Sequence, residues 1–91
     1  MPTYRWSEEA LKRAAQRSIS HADVYTVLAA SDTQVVPGTN DNTEVYQQLH
    51  SNGRRLLRIV VARQPDPQNR TVIVTLYDTT KVAKYWQTSN D

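Results

Sequence analysis

Two apolar runs in the second half of the chain dominate its pattern of hydrophobic and polar positions. They occupy residues 56–61 and 72–76 within the stretch 53–78, and the Pro-rich segment 64–69 joins them. Both runs are rich in β-branched residues and are bounded by turn residues, which predicts two β-strands. No other part of the chain can supply the middle of a core, so we expect these strands to form it.

An Asn-Gly pair predicts the turn of a β-hairpin. Asn52–Gly53 separates a strand-like segment at 44–51 from the first apolar run, and both residues of such a turn take positive φ. This turn predicts the following cross-strand partners: Ser51 with Arg54, His50 with Arg55, Leu49 with Leu56, Gln48 with Leu57, Gln47 with Arg58, Tyr46 with Ile59 and Val45 with Val60. The strand at 54–63 is apolar on both faces at its middle, as a central strand is. The segment 70–77 is expected to return antiparallel to it.

The N-terminal third has helical spacing. Ser7 is a plausible N-cap for a helix at 8–17, and Ser20 for a second helix at 21–30, in which apolar residues recur at i, i+3 and i+4. Helices this short need a surface to cover. We therefore expect the two to form a helical hairpin that lies on the sheet.

Two further segments are less distinctive. Residues 33–36 are compatible with a short edge strand, which Pro37 would end. Residues 78–87 fit either a last helical turn or a strand along the sheet edge. The predicted fold class is α+β, in a single domain of residues 1–91. Its N-terminal helical hairpin packs on a three- to four-stranded antiparallel sheet.

Positive charge is concentrated on the central strand and its ends. The whole chain has a net charge of +2, but residues 54–70 hold five arginines against Asp66, a local charge of +4. Such a patch attracts phosphate backbones. Arginines on strand edges also prevent edge-to-edge aggregation, so charge alone leaves the two interpretations balanced.

Composition excludes several classes of site. The chain has no cysteine and two histidines, which excludes a disulfide framework, a thiolate site and a Cys/His zinc site. We expect neither a cofactor nor a metal. The N-terminus lacks the apolar core of a signal peptide, and no segment approaches the ~20 apolar residues that span a bilayer. These absences favour a cytoplasmic protein with no membrane partner.

Three sequence pieces, in this order, resemble a known group. Arg13–Ser20 is similar to the pattern R-x-x-x-R-G-I-S, an apolar strand follows Asn52–Gly53, and Ile73–Tyr77 is similar to a closing VTVY strand. From Trp6 to Tyr77 the chain resembles small bacterial domains of unknown function related to the BrnT and RelE toxins. Those toxins share the barnase–EndoU–colicin–RelE fold, an N-terminal helical segment on a four-stranded antiparallel sheet.

The resemblance implies a ribonuclease-like toxin that makes the 2′-OH of RNA attack the adjacent phosphate without a metal. Its partners would be RNA and a small antitoxin or other protein that covers the basic face. Two departures bear on this implication. Glu9 stands where relatives often carry histidine, and Ser18 stands where they carry glycine. Glu9 could act as the base instead, or the domain could be catalytically silent.

Cleavage of this kind needs a base, an acid and cations for the phosphorane charge. The candidate catalytic residues are Arg58, Thr75, Tyr77, Arg17 and His50. The candidate RNA-binding residues are Arg13, Arg54, Arg55, Arg63 and Lys81. Thr75 and Tyr77 are expected to share a strand face with Ile73. Each candidate also has a purely structural interpretation.

For Arg58 that interpretation is a side chain that extends to the sheet edge, and for Tyr77 it is packing at the rim. For Arg13 it is pairing with a nearby glutamate, and for His50 it is an exposed place in the hairpin.

The resemblance thus implies a ribonuclease-like toxin, and two alternatives stay open. One is a catalytically silent RNA- or protein-binding module on the same fold. The other is a partner-dependent accessory protein of a mobile element or phage.

Overall fold

One mixed β-sheet carries three short helices in the computed structural model, which describes residues 3–87. The elements in chain order are β1 (Tyr4–Trp6), α1 (Glu8–Gln16), α2 (His21–Ala29), β2 (Gln34–Pro37), β3 (Thr43–His50), β4 (Arg55–Ala62), β5 (Thr71–Thr79) and α3 (Val82–Tyr85). The strand order is β1-β5-β4-β3-β2. The β1–β5 pair is parallel and the other pairs are antiparallel.

The predicted fold class is wrong in its sheet and in its helices. The sheet has five strands and is mixed, because β1 pairs in parallel with β5. The two N-terminal helices do not form a hairpin packed on an antiparallel sheet, since α1 lies along β5 while α2 contacts β3. A three-residue strand is too short to show a period, and parallel pairing leaves no turn signal in the sequence.

The predicted helix starts are confirmed by their caps. The Ser7 hydroxyl accepts a hydrogen bond from the backbone N–H of Ala10 at 3.0 Å, and the Ser20 hydroxyl accepts one from Asp23 at 3.0 Å. Helix α1 ends at Gln16 with Arg17 as its C-cap, and the next residue, Ser18, has a left-handed φ of +55°. Glycine adopts that conformation most easily, which explains why the pattern that this segment resembles has glycine there.

The predicted hairpin register is confirmed. Six of the seven predicted cross-strand pairs between β3 and β4 are present, from His50 with Arg55 to Val45 with Val60, whereas Ser51 and Arg54 lie in the turn. The turn is longer than predicted, since β3 ends at His50 and β4 begins at Arg55. Asn52 and Gly53 take φ of +59° and +80°, and Ser51 joins them at +53°. The Asn-Gly pair therefore fixes the register although two more residues belong to the turn.

A hydrophobic core fills the space between the sheet and the helices α1 and α2. The helices contribute Ala10, Ala14, Val24 and Val27, and the sheet contributes Leu57, Ile59, Val61, Ile73 and Leu76. A register shift at β5 pairs Val60 with Thr75 and Val61 with Ile73, so Val74 is the extra residue of a bulge.

The bulge reverses the alternation of side chains along β5. Ile73 and Leu76 both face the helices, whereas Thr75 and Tyr77 face away from them. The prediction that Thr75 and Tyr77 share a face with Ile73 is therefore wrong.

The loop between β4 and β5 is held by one carboxylate. Asp66 accepts hydrogen bonds from the backbone N–H groups of Arg70 and Gln68 at 2.8 and 3.0 Å. It also pairs with the guanidinium groups of Arg70 and Arg5 at 2.9 and 3.1 Å. The backbone hydrogen bond from Arg70 is the largest of the effects that lower the pKa of this carboxyl group.

Asp66 should make the stability of the domain depend on pH at the acid end. A carboxyl group whose pKa is lower in the folded chain contributes stability above its unfolded value of about 3.9, and that contribution is lost as pH falls through the folded value. We expect Asp66→Asn to be less stable at neutral pH and to lose less stability on acidification. Urea unfolding midpoints from neutral pH down to about pH 2 would measure this.

The control for this prediction is Asp41→Asn, which changes an exposed carboxylate in the loop between β2 and β3. It should leave the acid limb of the stability curve as it is in the unmodified chain. An acid limb unchanged in Asp66→Asn would contradict the assignment.

No helix in the described part of the chain is long and apolar enough to cross a membrane.

Candidate functional site

A groove of about 370 Å³ lies on the sheet face that points away from α1 and α2. Strands β3, β4 and β5 form its floor, the loop after β2 forms one end, and α3 closes the other. Its lining residues are Pro37, Gly38, Thr39, Asn40, Thr43, Val45, Arg58, Val60, Val74, Thr75, Tyr77 and Tyr85. The volume falls within the range of small-molecule sites.

Arg58 lies at the α3 end of the groove and is held from three sides. Its Nε donates to the side-chain oxygen of Gln47 at 3.0 Å, and its Nη1 donates to the hydroxyl of Tyr77. The guanidinium carbon lies 3.9 Å from the ring centre of Tyr85, a cation–π contact. The residue is only 8% exposed. Among residues 3–87 its Nη2 has no hydrogen-bond partner, so this nitrogen can donate to a ligand.

A buried glutamine fixes the orientation of that guanidinium. Gln47 is fully buried, and its Nε2 donates to the side chain of Gln34 and to the backbone carbonyl of Tyr85, both at 2.9 Å. Its oxygen is thereby left to accept from Arg58. Gln47 was not among the predicted site residues. One feature of the sequence could have identified it. Gln47 was predicted to pair with Arg58, which interrupts an apolar strand, so a glutamine beside this arginine was a candidate hydrogen-bond partner.

The two phenols of the groove differ in acidity. Burial raises the pKa of Tyr77, although the charge of Arg58 and its hydrogen bond act in the opposite direction. A hydrogen bond from Lys84 is the main cause that lowers the pKa of Tyr85, and Tyr77 and Arg58 add to it. Tyr77 therefore stays protonated to higher pH than an ordinary tyrosine, and Tyr85 is the phenol that ionises more readily. Tyr85 was not among the predicted site residues.

The opposite end of the groove is built from the loop after β2. A Cβ atom on Gly38 would come within 2.0 Å of the Thr43 hydroxyl, so only glycine allows this close approach. The side-chain oxygen of Asn40 accepts from the backbone N–H of Asn42 at 3.0 Å, and this leaves its amide N–H₂ as a donor.

The predicted catalytic residues are divided between the two sheet faces. Arg58, Thr75 and Tyr77 line the groove, whereas Arg17 and His50 line a second pocket of about 350 Å³ on the helix side. There His50 and Arg55 both pair with Asp78, each at 2.9 Å. The sheet itself therefore separates Arg17 and His50 from the groove.

The predicted RNA-binding residues are also spread over the surface. Arg13 is half-buried on α1, Arg54 is exposed in the hairpin turn, and Lys81 is exposed just before α3. Arg55 is engaged by Asp78, and the Nε of Arg63 donates to the backbone carbonyl of Thr43 at 3.3 Å. Thr43 lines the groove, so Arg63 lies closest to its loop end.

Within residues 3–87, no three carboxylate or imidazole side chains are grouped so that they could hold a metal ion. The chemical groups that line the groove are a guanidinium, two phenols, threonine hydroxyls and one amide. These groups can bind an anion, stabilise negative charge that develops on it and transfer protons.

Comparison with known proteins gives a family but no characterised relative. No curated protein and no solved structure matches the chain significantly. The profile of the family described as "Domain of unknown function (DUF4258)" matches residues 6–78, from the last residue of β1 to the last but one of β5, and includes all but one of the groove residues. The predicted resemblance to a small domain of unknown function is thereby confirmed. The chain belongs to the DUF4258 family.

Proposed function

We propose that this DUF4258 domain is a metal-independent endoribonuclease whose active site is the groove around Arg58. One observation carries the proposal. Arg58, Thr75 and Tyr77, which the sequence marks out as interruptions of apolar strands, line the same groove. An arginine fixed by a buried glutamine and facing a concave surface is suited to hold a phosphate group.

The residues of the groove have distinct roles in this proposal. Nη2 of Arg58 donates to a phosphate oxygen and stabilises the charge that develops when the 2′-OH attacks. Tyr77, whose pKa is raised, donates a proton to the departing 5′-oxygen. Tyr85, the phenol that ionises more readily, accepts the proton of the 2′-OH as its phenolate and becomes a neutral phenol. Thr75 offers a hydroxyl to the same phosphate.

The proposal includes a biological setting. We place the domain with ribonuclease toxins related to BrnT and RelE, which act on RNA in the cytoplasm and are neutralised by a small antitoxin. The antitoxin would cover the groove face. The support for this setting is the order of sequence pieces from Arg13–Ser20 to Ile73–Tyr77 together with the site chemistry.

A cleavage assay tests the proposed function. Purified protein incubated with single-stranded RNA and excess EDTA should produce fragments that end in a 2′,3′-cyclic phosphate, because the attacking group is the RNA's own 2′-OH. Gel analysis of end-labelled RNA would identify these ends. Cleavage that requires added divalent metal, or intact RNA after prolonged incubation, would overturn the proposal.

A second candidate is a catalytically silent RNA-binding module. It is favoured by the fact that no histidine or carboxylate is among the residues that line the groove. Both phenols would then serve only to position Arg58. The same assay separates the two candidates, since a silent module retards labelled RNA on a native gel and leaves its length unchanged.

A further inference from the structure

The polarity of the groove floor changes from one row of paired residues to the next along the strands. The pairing register places Gln47, Arg58 and Tyr77 side by side in one row, which is polar and carries a positive charge. The next row on the same face holds Val45, Val60 and Thr75 and is mainly apolar. The groove therefore changes from a polar end to an apolar middle within two residues of each strand.

A third zone, at the loop end, is polar again. Thr43 lies two residues before Val45 on β3, and Asn40 stands beside it in the lining of the groove. Strands rise about 3.4 Å per residue, so the apolar row lies about 7 Å from the Arg58 row and Thr43 lies about 14 Å from it. The groove thus has a cationic end, an apolar platform and a hydrogen-bonding edge, each about 7 Å from the next.

A nucleotide has the same sequence of chemical groups. Its phosphate needs a cation, the flat faces of its base favour an apolar surface, and the edge of the base carries hydrogen-bond donors and acceptors. The Asn40 amide offers a donor for that edge, because its oxygen is already engaged by the backbone of Asn42.

We infer that the groove holds one nucleoside 3′-phosphate unit of RNA, with its phosphate at Arg58 and its base over Val45 and Val60, and that Asn40 sets base preference. The inference rests on the proposed function for the direction of the nucleotide, since the nucleoside that supplies the attacking 2′-OH lies on the 5′ side of the cleaved phosphate. It extends that function from RNA in general to selection of one base.

Binding of small ligands tests the inference without any cleavage. We would titrate the protein with each of the four nucleoside 3′-monophosphates and with inorganic phosphate, and would measure heat by calorimetry. The nucleotides should bind more tightly than inorganic phosphate, and they should differ from one another in affinity. Equal affinity for inorganic phosphate and for all four nucleotides would overturn the inference.

A pair of matched variants tests the role of Asn40. Asn40→Asp keeps the oxygen that accepts from Asn42 but removes the N–H₂ donor, so affinity for the preferred nucleotide should fall about 10-fold. Asn42→Asp makes the same change of charge two residues away, at a side chain outside the groove lining, and should have little effect. Equal losses in the two variants would remove Asn40 from the site.

The outcomes separate this inference from the proposed function. Graded nucleotide binding without RNA cleavage would overturn the ribonuclease proposal and leave the nucleotide site standing. RNA cleavage by a protein that binds nucleotides no better than inorganic phosphate would support the ribonuclease proposal and overturn the nucleotide site. Circular dichroism of both variants would establish that they are folded.

Discussion

Replacement of Arg58 by lysine should lower the rate of RNA cleavage by about 100-fold or more, as removal of a single donor to a transition-state oxyanion does in other enzymes. Lysine keeps the positive charge but has no planar fork of donors. The native guanidinium bonds Gln47 and Tyr77 through two nitrogens, and the third has no partner among residues 3–87 and is proposed to hold the phosphate. The three N–H donors of an ammonium group radiate from one nitrogen, so they cannot reach the same three positions as the planar guanidinium. Initial rates on a short fluorogenic RNA in EDTA would measure the loss.

Arg58→Lys is a better test than Arg58→Ala. Arg58 is almost fully buried, and alanine would leave the side-chain oxygen of Gln47 without its donor. A buried polar atom left unpaired costs roughly 1–3 kcal/mol, so Arg58→Ala would mix a loss of stability with a loss of activity.

His50→Gln provides the comparison between the two pockets. This change removes the imidazole that pairs with Asp78 on the helix side of the sheet and does not touch the groove. Its cleavage rate should stay close to that of the unmodified protein. A large loss in His50→Gln together with full activity in Arg58→Lys would place the chemistry in the second pocket and would show that the groove assignment is wrong.

Ile59→Ala should cost about 2–5 kcal/mol of folding free energy, which is the usual range for truncation of a large buried aliphatic side chain. Ile59 is fully buried in the core between the sheet and the helices. A domain of this size has a total stability of roughly 5–14 kcal/mol, so the loss is a large part of the whole. Urea unfolding followed by circular dichroism would measure it.

The adjacent residue supplies the control. Val60 is half-buried and lies on the groove face of the same strand, so Val60→Ala removes fewer packing contacts. We expect a clearly smaller loss of stability than in Ile59→Ala. Similar losses in the two variants would contradict the assignment of the core to the helix side of β4.

The features of the fold that depend on residues close together in the sequence could be predicted from it. Ser7 and Ser20 were identified as caps because a capping bond spans three residues. The Asn52–Gly53 turn gave the correct register for the whole β3–β4 pair, since positive φ at both residues brings the strands together in one way. The pairing of Arg58 with Gln47 on β3 followed from that register.

The rest of the fold depends on contacts between distant segments. Parallel pairing of Tyr4–Trp6 with β5 joins residues more than 60 positions apart, and no local pattern marks it. No sequence pattern marks the bulge at Val74 either, yet it determines which face Thr75 and Tyr77 occupy. Because the position of the bulge was not known, regular alternation along β5 placed these two residues on the wrong face.

The candidate site was predicted in part for the same reason. Arg58, Thr75 and Tyr77 stood out because each interrupts an apolar strand. Gln47 and Tyr85 did not, since their roles arise only when β3 and α3 meet at the guanidinium. Arg17 and His50 were grouped with Arg58 by residue type, and residue type cannot tell which side of a sheet a side chain occupies.

The contact between Tyr85 and Arg58 has a consequence for the order in which the groove is completed. Tyr85 is the last residue of the groove lining to be synthesised, and its backbone carbonyl also holds Gln47 in place. The strands that carry Arg58 and Tyr77 leave the ribosome earlier and can pair before α3 is made. A nascent chain would therefore hold a folded sheet with an unfinished groove, and the guanidinium of Arg58 would gain its aromatic contact only after Tyr85 had emerged.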